Sequence, residues 1–343
     1  MKALLLKDVN KLVYSDVPDP QILPNEVMIE IKACGICGSD IHGMDGSSGR
    51  RIPPVIMGHE ASGIISKTGQ AVEKWQIGDR VTFDSTIYPL DDWYTKKGMY
   101  NLSDKRMVMG VSCTDYTRNG AFAQYLNVPQ HILHKIPQDV SYNFAAMTEP
   151  LAVAIHAVNL SSVSENDSVV VIGTGIIGLL VIQVLNSRNV KQIIAIDRQQ
   201  ERLDLAKKLG ASVTLNAGQS NITDQIKKIS DGRGVDMAFE AVGLGDTVNL
   251  AIDTLRKGGS AVLLGNITAE INFPLQKIVT QQINVQGSCA INGEYPEALN
   301  MIKNKQVNLE LMISAVAHLS EGAEWFKRLY NKEKGLLKVI LNP

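Results

Sequence analysis

The stretch "CGICGSDIH", Cys34 to His42, crowds two thiols, a hydroxyl, a carboxylate and an imidazole into one short segment. Three chemistries are open to it. A C-x-x-C pair can be half of a four-thiolate zinc site, but no second pair exists, and Cys113 and Cys289 stand alone. It can be a redox dithiol opening a helix, for which the surrounding strand-like texture is wrong. Or one cysteine can be a single thiolate ligand whose companions lie elsewhere. The last option gains from "GHEASG", where His59 and Glu60 are adjacent and bracketed by Gly58 and Gly63. Glycines on both sides imply close backbone approach rather than casual surface. A further candidate is Glu149 in "MTEPLAVAIHAV". Pro150 reads as the first residue of a helix, which places Glu149 near the cap. Ser, Thr, Asp or Asn would cap better, so the carboxylate is free for other work. Thiolate, imidazole and carboxylate together make a zinc set with room for water or substrate.

A second chemistry is written in "VVVIGTGIIGLLVIQVL", where Gly173, Gly175 and Gly178 have G-x-G-x-x-G spacing. The pattern alone is weak, but here it follows an apolar strand and opens an apolar helix. The first glycine permits a tight turn, the second lets backbone approach a pyrophosphate, and the third lets helix pack on strand. About 20 residues on, Asp197 ends the run "QIIAID", where an acid accepts hydrogen bonds from an adenine ribose and repels a 2′-phosphate. NAD is expected over NADP, although Arg198 next to Asp197 is able to reach a 2′-phosphate.

Two textures position these residues. From Met1 to about Met147, short alternating runs such as "EVMIEIKA" and "GDRVTF" are broken by Gly, Pro and Asp, predicting a mostly antiparallel β region. From about Ser168, "SVVVIG", "QIIAID", "SVTLN", "VDMAFEAVG", "SAVLLG" and "INVQG" alternate with helical periods. Those runs predict a doubly wound, six-stranded parallel sheet. At 343 residues two domains are the default, and the last segment is expected to pack back on the first. A net charge of −1, with 45% hydrophobic residues, is that of an ordinary folded protein and gives no electrostatic reason for nucleic acid or an anionic membrane. Four cysteines are too few and scattered for a disulfide framework. "MKALLLKDVNKLVYSD" holds too short an apolar run for a signal peptide, so a cytoplasmic location is expected.

Taken in order, "CGICGSDIH", "GHEASG", "IGDR", "GAFAQY", "TEPLAV", "GTGIIG" with Asp197, and "RKGGSAVLLG" resemble the zinc-dependent medium-chain dehydrogenases along essentially the whole chain. The resemblance is to the branch of sorbitol and other polyol dehydrogenases. It implies an α/β protein with a GroES-like catalytic domain over residues 1–152, completed by 290–343, and a Rossmann NAD-binding domain over 153–289. It implies one catalytic zinc, with Cys37 rather than Cys34 as thiolate, His59 and Glu60 beside it, and Glu149 approaching the metal directly or through water. Whether Glu60, Glu149 or both touch the metal is open. Ser39 falls where the family places a proton-relay hydroxyl, and His42 at the relay's outer end. His131, His134, His156 and His318 match no motif and read as surface or core. The implied reaction takes a hydride from a secondary alcohol of a sugar alcohol to NAD, in a homodimer or homotetramer.

The arginine pair in "SSGRR", Ser47 to Arg51, is able to clamp a phosphate, which keeps a sugar-alcohol phosphate open beside the reading of a solvated loop. Rivals are a dehydrogenase of another secondary alcohol, of the amino-alcohol or threonine type, and a non-catalytic crystallin-like or NAD-binding protein. Zinc-free reductases of the same fold lack the Cys37, His59 and Glu149 set. Finally, "PLDDWYTKKGMYNLS", Pro89 to Ser103, has no period of strand or helix and sits in an irregular run from Asp84 to Gly120. Many family members bind a structural zinc there through four cysteines; here those places hold Pro89, Asp92, Thr95 and Ser103. No structural zinc is expected, and Trp93, Tyr94 and Tyr100 are expected to supply packing instead.

Overall fold

The computed structural model describes residues 1–113, 116–218 and 221–343, so Thr114 and Asp115 of the irregular run lie outside the described residues. The chain divides into two compact units. One comprises Met1–Ala152, Ile291–Lys305 and Leu309–Pro343; the other comprises Val153–Ala290 and Gln306–Asn308.

The first unit is built around β1 (Glu26–Gly35), whose Val27, Ile29 and Ile31 alternate into a core with Phe83, Phe122 and Phe326. After β1 the chain turns into the short helix α1 (Gly38–Met44) and returns as β2 (Glu60–Thr68). β1 and β2 pair antiparallel from Val27↔Thr68 to Gly35↔Glu60. That register brings the residues just beyond the paired ends, Cys37 after β1 and His59 before β2, to the same end of the sheet. The glycines around His59 do what their spacing implied. Gly58 has φ +98°, and a Cβ on Gly63 would lie 2.2 Å from the Glu30 carbonyl across the pair. The C-terminal strand Lys338–Asn342 adds to β1 antiparallel, with Ile340 opposite Gly35.

Helix α2 (Thr148–Asn159) starts earlier than Pro150 suggested. A short helix, Tyr142–Ala146, capped by the Ser141 hydroxyl, leads straight into it, and Leu151 N–H already bonds the Met147 carbonyl. Pro150 therefore sits in the first turn, where its missing N–H costs little, and Glu149 is a first-turn residue rather than a cap.

The second unit contains the six strands read from the sequence. They are β3 (Ser168–Ile172), followed by helix α3 (Ile176–Ser187), then β4 (Gln192–Asp197), β5 (Val213–Asn216), β6 (Val235–Glu240), β7 (Leu255–Leu263) and β8 (Asn284–Gly287). All pair parallel in the order β5-β4-β3-β6-β7-β8, the doubly wound arrangement. Val169 to Ile172 are buried without alternation because helices cover both faces of a parallel sheet. Among the described residues, no helix is long and apolar enough to cross a membrane.

The segment Pro89–Ser103 is more ordered than its composition suggested. Asp92 caps a single-turn helix, Trp93–Lys96, accepting from the Tyr94 and Thr95 N–H groups, and Tyr100–Leu102 forms a 3-10 turn. Trp93 does not pack it: the side chain is 62% exposed, meeting Tyr94 edge-on and Lys97. The anchor is Tyr100. Its ring stacks on Tyr88 at 4.2 Å, its hydroxyl donates to Asp84 Oδ2 at 2.6 Å, and it accepts from Gly293 N–H at 2.7 Å. Burial raises the Asp84 carboxyl to about 6, while Tyr100 pulls it back. His131 packs edge-on against Tyr88, and Asn292 Nδ2 donates to the Gly98 carbonyl. Tyr100→Phe removes the pin and keeps the ring, stranding Asp84 Oδ2 and Gly293 N–H while Thr86 N–H still donates to Oδ1. The expected loss is about 1–3 kcal/mol in urea unfolding, with faster proteolysis inside 89–103 and no such change on adding chelator. Wild-type stability in the variant would show that the segment is held some other way.

Candidate metal centre

The Sγ of Cys37, a ring nitrogen of His59 and a carboxylate oxygen of Glu60 all lie within 4.8 Å of one another. Each arrives by a different route. Cys37 is the N-cap of α1, His59 precedes β2 and Glu60 opens it. Gly35 makes room for the last: a Cβ there would stand 2.3 Å from Glu60 Oε2. His59 and Glu60 are buried, so these donors sit where water cannot easily satisfy them.

Behind the donors lie two ion pairs. Asp40, fully buried, places Oδ1 3.5 Å from His59 Nδ1 and 3.2 Å from Arg51 Nη2, while Oδ2 accepts from Cys37 N–H. Asp40 faces Nδ1 at ion-pair distance without a hydrogen bond, the side on which a metal-binding histidine usually meets a carboxylate, and leaves Nε2 as the ring nitrogen for a metal. Burial disfavours the Asp40 charge, but His59 and Arg51 outweigh it and hold the carboxyl at about 2. On the other side Lys338, 2% exposed in its side chain, donates to Glu60 Oε2 at 2.6 Å and to the Ile36 carbonyl at 3.0 Å. Burial would lower the Lys338 pKa, yet Glu60 and Cys37 raise it.

Glu149 stands outside the group of three. Its Oε1 accepts from Ser85 Oγ at 2.9 Å, and burial pushes its carboxyl up to about 7, with His59 opposing. Burial also works against an imidazolium at His59, but Asp40 and Cys37 raise its pKa well above the ordinary value. The acidic groups around His59 thus favour a positive charge in this pocket. The donor set is thiolate, imidazole and carboxylate, and a zinc ion fits it on both charge and chemistry.

The predicted relay residues are on α1. Ser39 and His42 are both exposed and three apart, hence neighbours on one face. Ser39 Oγ accepts from Arg51 Nη2 at 3.2 Å. This corrects the reading of Arg51 as half of a phosphate clamp: it is 6% exposed and its guanidinium is turned inward. Cys34 is a fully buried core residue. Asp40, Arg51 and Lys338 in these roles were not read from the sequence. The one available signal was Asp40, three residues after the cap Cys37, where an N3 acid reaches back to the cap N–H.

In the second unit, Gly173 has φ +86°, and a Cβ on Gly178 would fall 1.8 Å from the Gly173 carbonyl. Gly175, the cap of α3, is different: a Cβ there meets nothing within 4 Å, which leaves open space at a helix N-terminus. Asp197 Oδ2 accepts from Thr174 N–H and Oγ1 at 2.8 and 3.0 Å, and Oδ1 accepts from Gln199 N–H at 2.9 Å. Arg198 is exposed.

Comparison with known proteins agrees with both units. The alcohol dehydrogenase GroES-like domain matches residues 23–138, and the zinc-binding dehydrogenase domain matches 177–304. A probable D-xylulose reductase A of Emericella nidulans is 33% identical over 350 residues, spanning 99% of this chain and 96% of that protein. Galactitol-1-phosphate dehydrogenase of Escherichia coli superposes over 100% of both chains with TM-score 0.92 and 27% identity. A short chain alcohol dehydrogenase from E. coli CFT073, complexed with NADH, superposes over 100% of this chain and 99% of its own with TM-score 0.92 and 28% identity. Likeness of this extent, covering 99% of the chain, is shared ancestry: the chain belongs to the zinc-binding alcohol dehydrogenase family, in its polyol dehydrogenase branch.

Proposed function

We propose that this enzyme oxidises a secondary alcohol of an unphosphorylated sugar alcohol with NAD. In this reading Cys37, His59 and Glu60 hold one zinc, and Glu149 approaches it directly or through water. The buried Cys37–His59–Glu60 group carries the proposal. Zinc, when bound, supplies Lewis acidity toward a hydroxyl, and NAD supplies the hydride acceptor. In the net reaction the carbinol carbon loses a hydride with both electrons and the hydroxyl loses its proton, giving a ketone and NADH. Ser39 accepts the hydroxyl proton and passes its own toward His42, from which it reaches solvent. Asp40 keeps His59 turned, and Lys338 offsets the charge of Glu60.

The relatives named as D-xylulose reductase and galactitol-1-phosphate dehydrogenase support a polyol, and they differ on phosphate. Arg51 supports the unphosphorylated class, since its guanidinium is bound to Ser39 and Asp40. Arg50, exposed on its own, is what a sugar-alcohol phosphate would have left to use. For the cofactor, Asp197 with a lone-pair site left on Oδ1 supports NAD. A homodimer or homotetramer is supported by the mostly exposed edge strand β8.

Two measurements test this. Cys37→Ser should lower bound zinc from about one per chain to a small fraction and cut NAD-linked alcohol oxidation by at least about 100-fold. A zinc-free variant with full activity would sink the proposal. Across a panel of polyols and their phosphates, followed by NADH absorbance, kcat/KM should be highest for an unphosphorylated polyol with NAD. Preference for a phosphate would return Arg50 to the binding site, and preference for NADP would move recognition of the adenine ribose from Asp197 to Arg198.

A further inference from the structure

Arg51 is buried, and its contacts extend beyond its ion pair with Asp40. Its Nη2 makes two contacts, to Ser39 Oγ and to Asp40 Oδ1, both at 3.2 Å. Among the described residues, its buried Nε has no hydrogen-bond partner, an orphan donor that calls for an explanation beyond stability. The site is nonetheless built to receive the side chain. Gly43, on α1, leaves space for its stem: a Cβ there would stand 2.5 Å from Arg51 Cγ and 2.9 Å from Cδ. The backbone is fixed from the other side, where Ile52 N–H donates to Ser112 Oγ at 2.8 Å and residue 51 bridges residue 112.

We propose that Arg51 is a positioning residue of the proton relay, one guanidinium nitrogen joining the Ser39 hydroxyl to the Asp40 carboxylate that orients His59. The inference rests on the function proposed above. A serine hydroxyl has one donor and two acceptor sites. Arg51 occupies one acceptor, which leaves one acceptor for the incoming alcohol proton and one donor for the proton passed on. The hydroxyl therefore needs no reorientation during transfer. A fixed positive charge beside Ser39 also opposes an excess proton resting there, so the proton moves outward toward His42. Through Asp40 the same nitrogen steadies the carboxylate facing His59 Nδ1, tying the metal's imidazole to the relay.

The test uses zinc-loaded full-length protein with the best polyol of the panel. Arg51→Met should lower kcat about 10- to 100-fold with KM for NAD unchanged and zinc still bound, and it should raise the solvent deuterium isotope effect on kcat. Arg51→Lys, which keeps the charge and has donors for both contacts, should restore most of the rate. Gly43→Ala removes no polar group but displaces the arginine stem, and it should show the Arg51→Met signature in milder form. In a Ser39→Ala background, Arg51→Met should cost less than about twofold, because its target is gone. Independently of turnover, chelator competition on the apoprotein should show Arg51→Met weakening zinc about tenfold through Asp40. Wild-type kcat and isotope effect in Arg51→Met, or equal loss with and without Ser39, would overturn the role of Arg51 while leaving the enzyme assignment standing. A wild-type protein that binds no zinc would overturn that assignment, and this inference with it.

Discussion

The catalytic unit depends on compensating negative charge that it has buried. Asp40, Glu60 and Glu149 are at most 8% exposed around Cys37 and His59. Uncompensated, such a cluster is untenable, because one unpaired buried charge costs about 3–5 kcal/mol when its partner is removed. Two cations answer it from opposite sides, Arg51 at Asp40 and Lys338 at Glu60. Zinc, when bound, is the third. The position of Lys338 explains why the chain's last strand returns to the first sheet. Ile340 opposite Gly35 lines up the end of β1 with the lysine, whose ammonium then reaches both Glu60 and the Ile36 carbonyl. One register, Gly35 against Glu60 on one side and against Ile340 on the other, therefore fixes ligands and counter-charge together.

What could be read from the sequence follows from which physics is local. The parallel strands were legible because burial on both faces writes a continuous apolar run, as in Val169 to Ile172. His59 and Glu60 were legible because glycines on both sides imply close approach, and Gly58 and Gly63 are used that way, whereas the choice of Cys37 over Cys34 came from the resemblance to the dehydrogenase family. Arg51 and Lys338 were not, because an arginine in a loop or a lysine before "VIL" looks solvated until distant register turns it inward. The start of α2 was misplaced for a related reason. A proline is a local helix-start signal, whereas the preceding helix Tyr142–Ala146, which continues into it, is set by packing.

The segment Pro89–Ser103 shows a different route to order. Four thiolates around zinc fix such a lobe by covalent-strength bonds at one point. Here the work is distributed over a stacked Tyr88–Tyr100 pair, the edge of His131, and a hydroxyl shared between Asp84 and Gly293. The composition hid this because the partners come from elsewhere: Asp84 and Tyr88 precede the segment, and Asn292 and Gly293 lie far along the chain. Trp93 drew the eye as the largest apolar group and proves to be the most exposed of the three aromatics expected to pack.

Ser39 and Asp197 sit in different units and do different chemistry, yet each is prepared in the same manner. Ser39 has one acceptor site taken by Arg51; Asp197 has Oδ2 filled by Thr174 and one site of Oδ1 filled by Gln199. A carboxylate offers about four lone-pair sites, so one remains, on Oδ1. In both cases the protein fills every site except those the proposed relay or cofactor contact would use, which fixes the side chain's orientation in advance. The alternative, a freely rotating hydroxyl or carboxylate, would have to be ordered on binding, and that cost would be subtracted from affinity or rate. On this argument the NAD preference proposed above rests on the orientation of Asp197 as much as on its charge. Thr174 then belongs to the proposed cofactor site through its bonds to Asp197, although it occupies a variable place in the glycine pattern. The same argument places Arg51 in the proposed relay through its bond to Ser39 rather than through any contact with substrate.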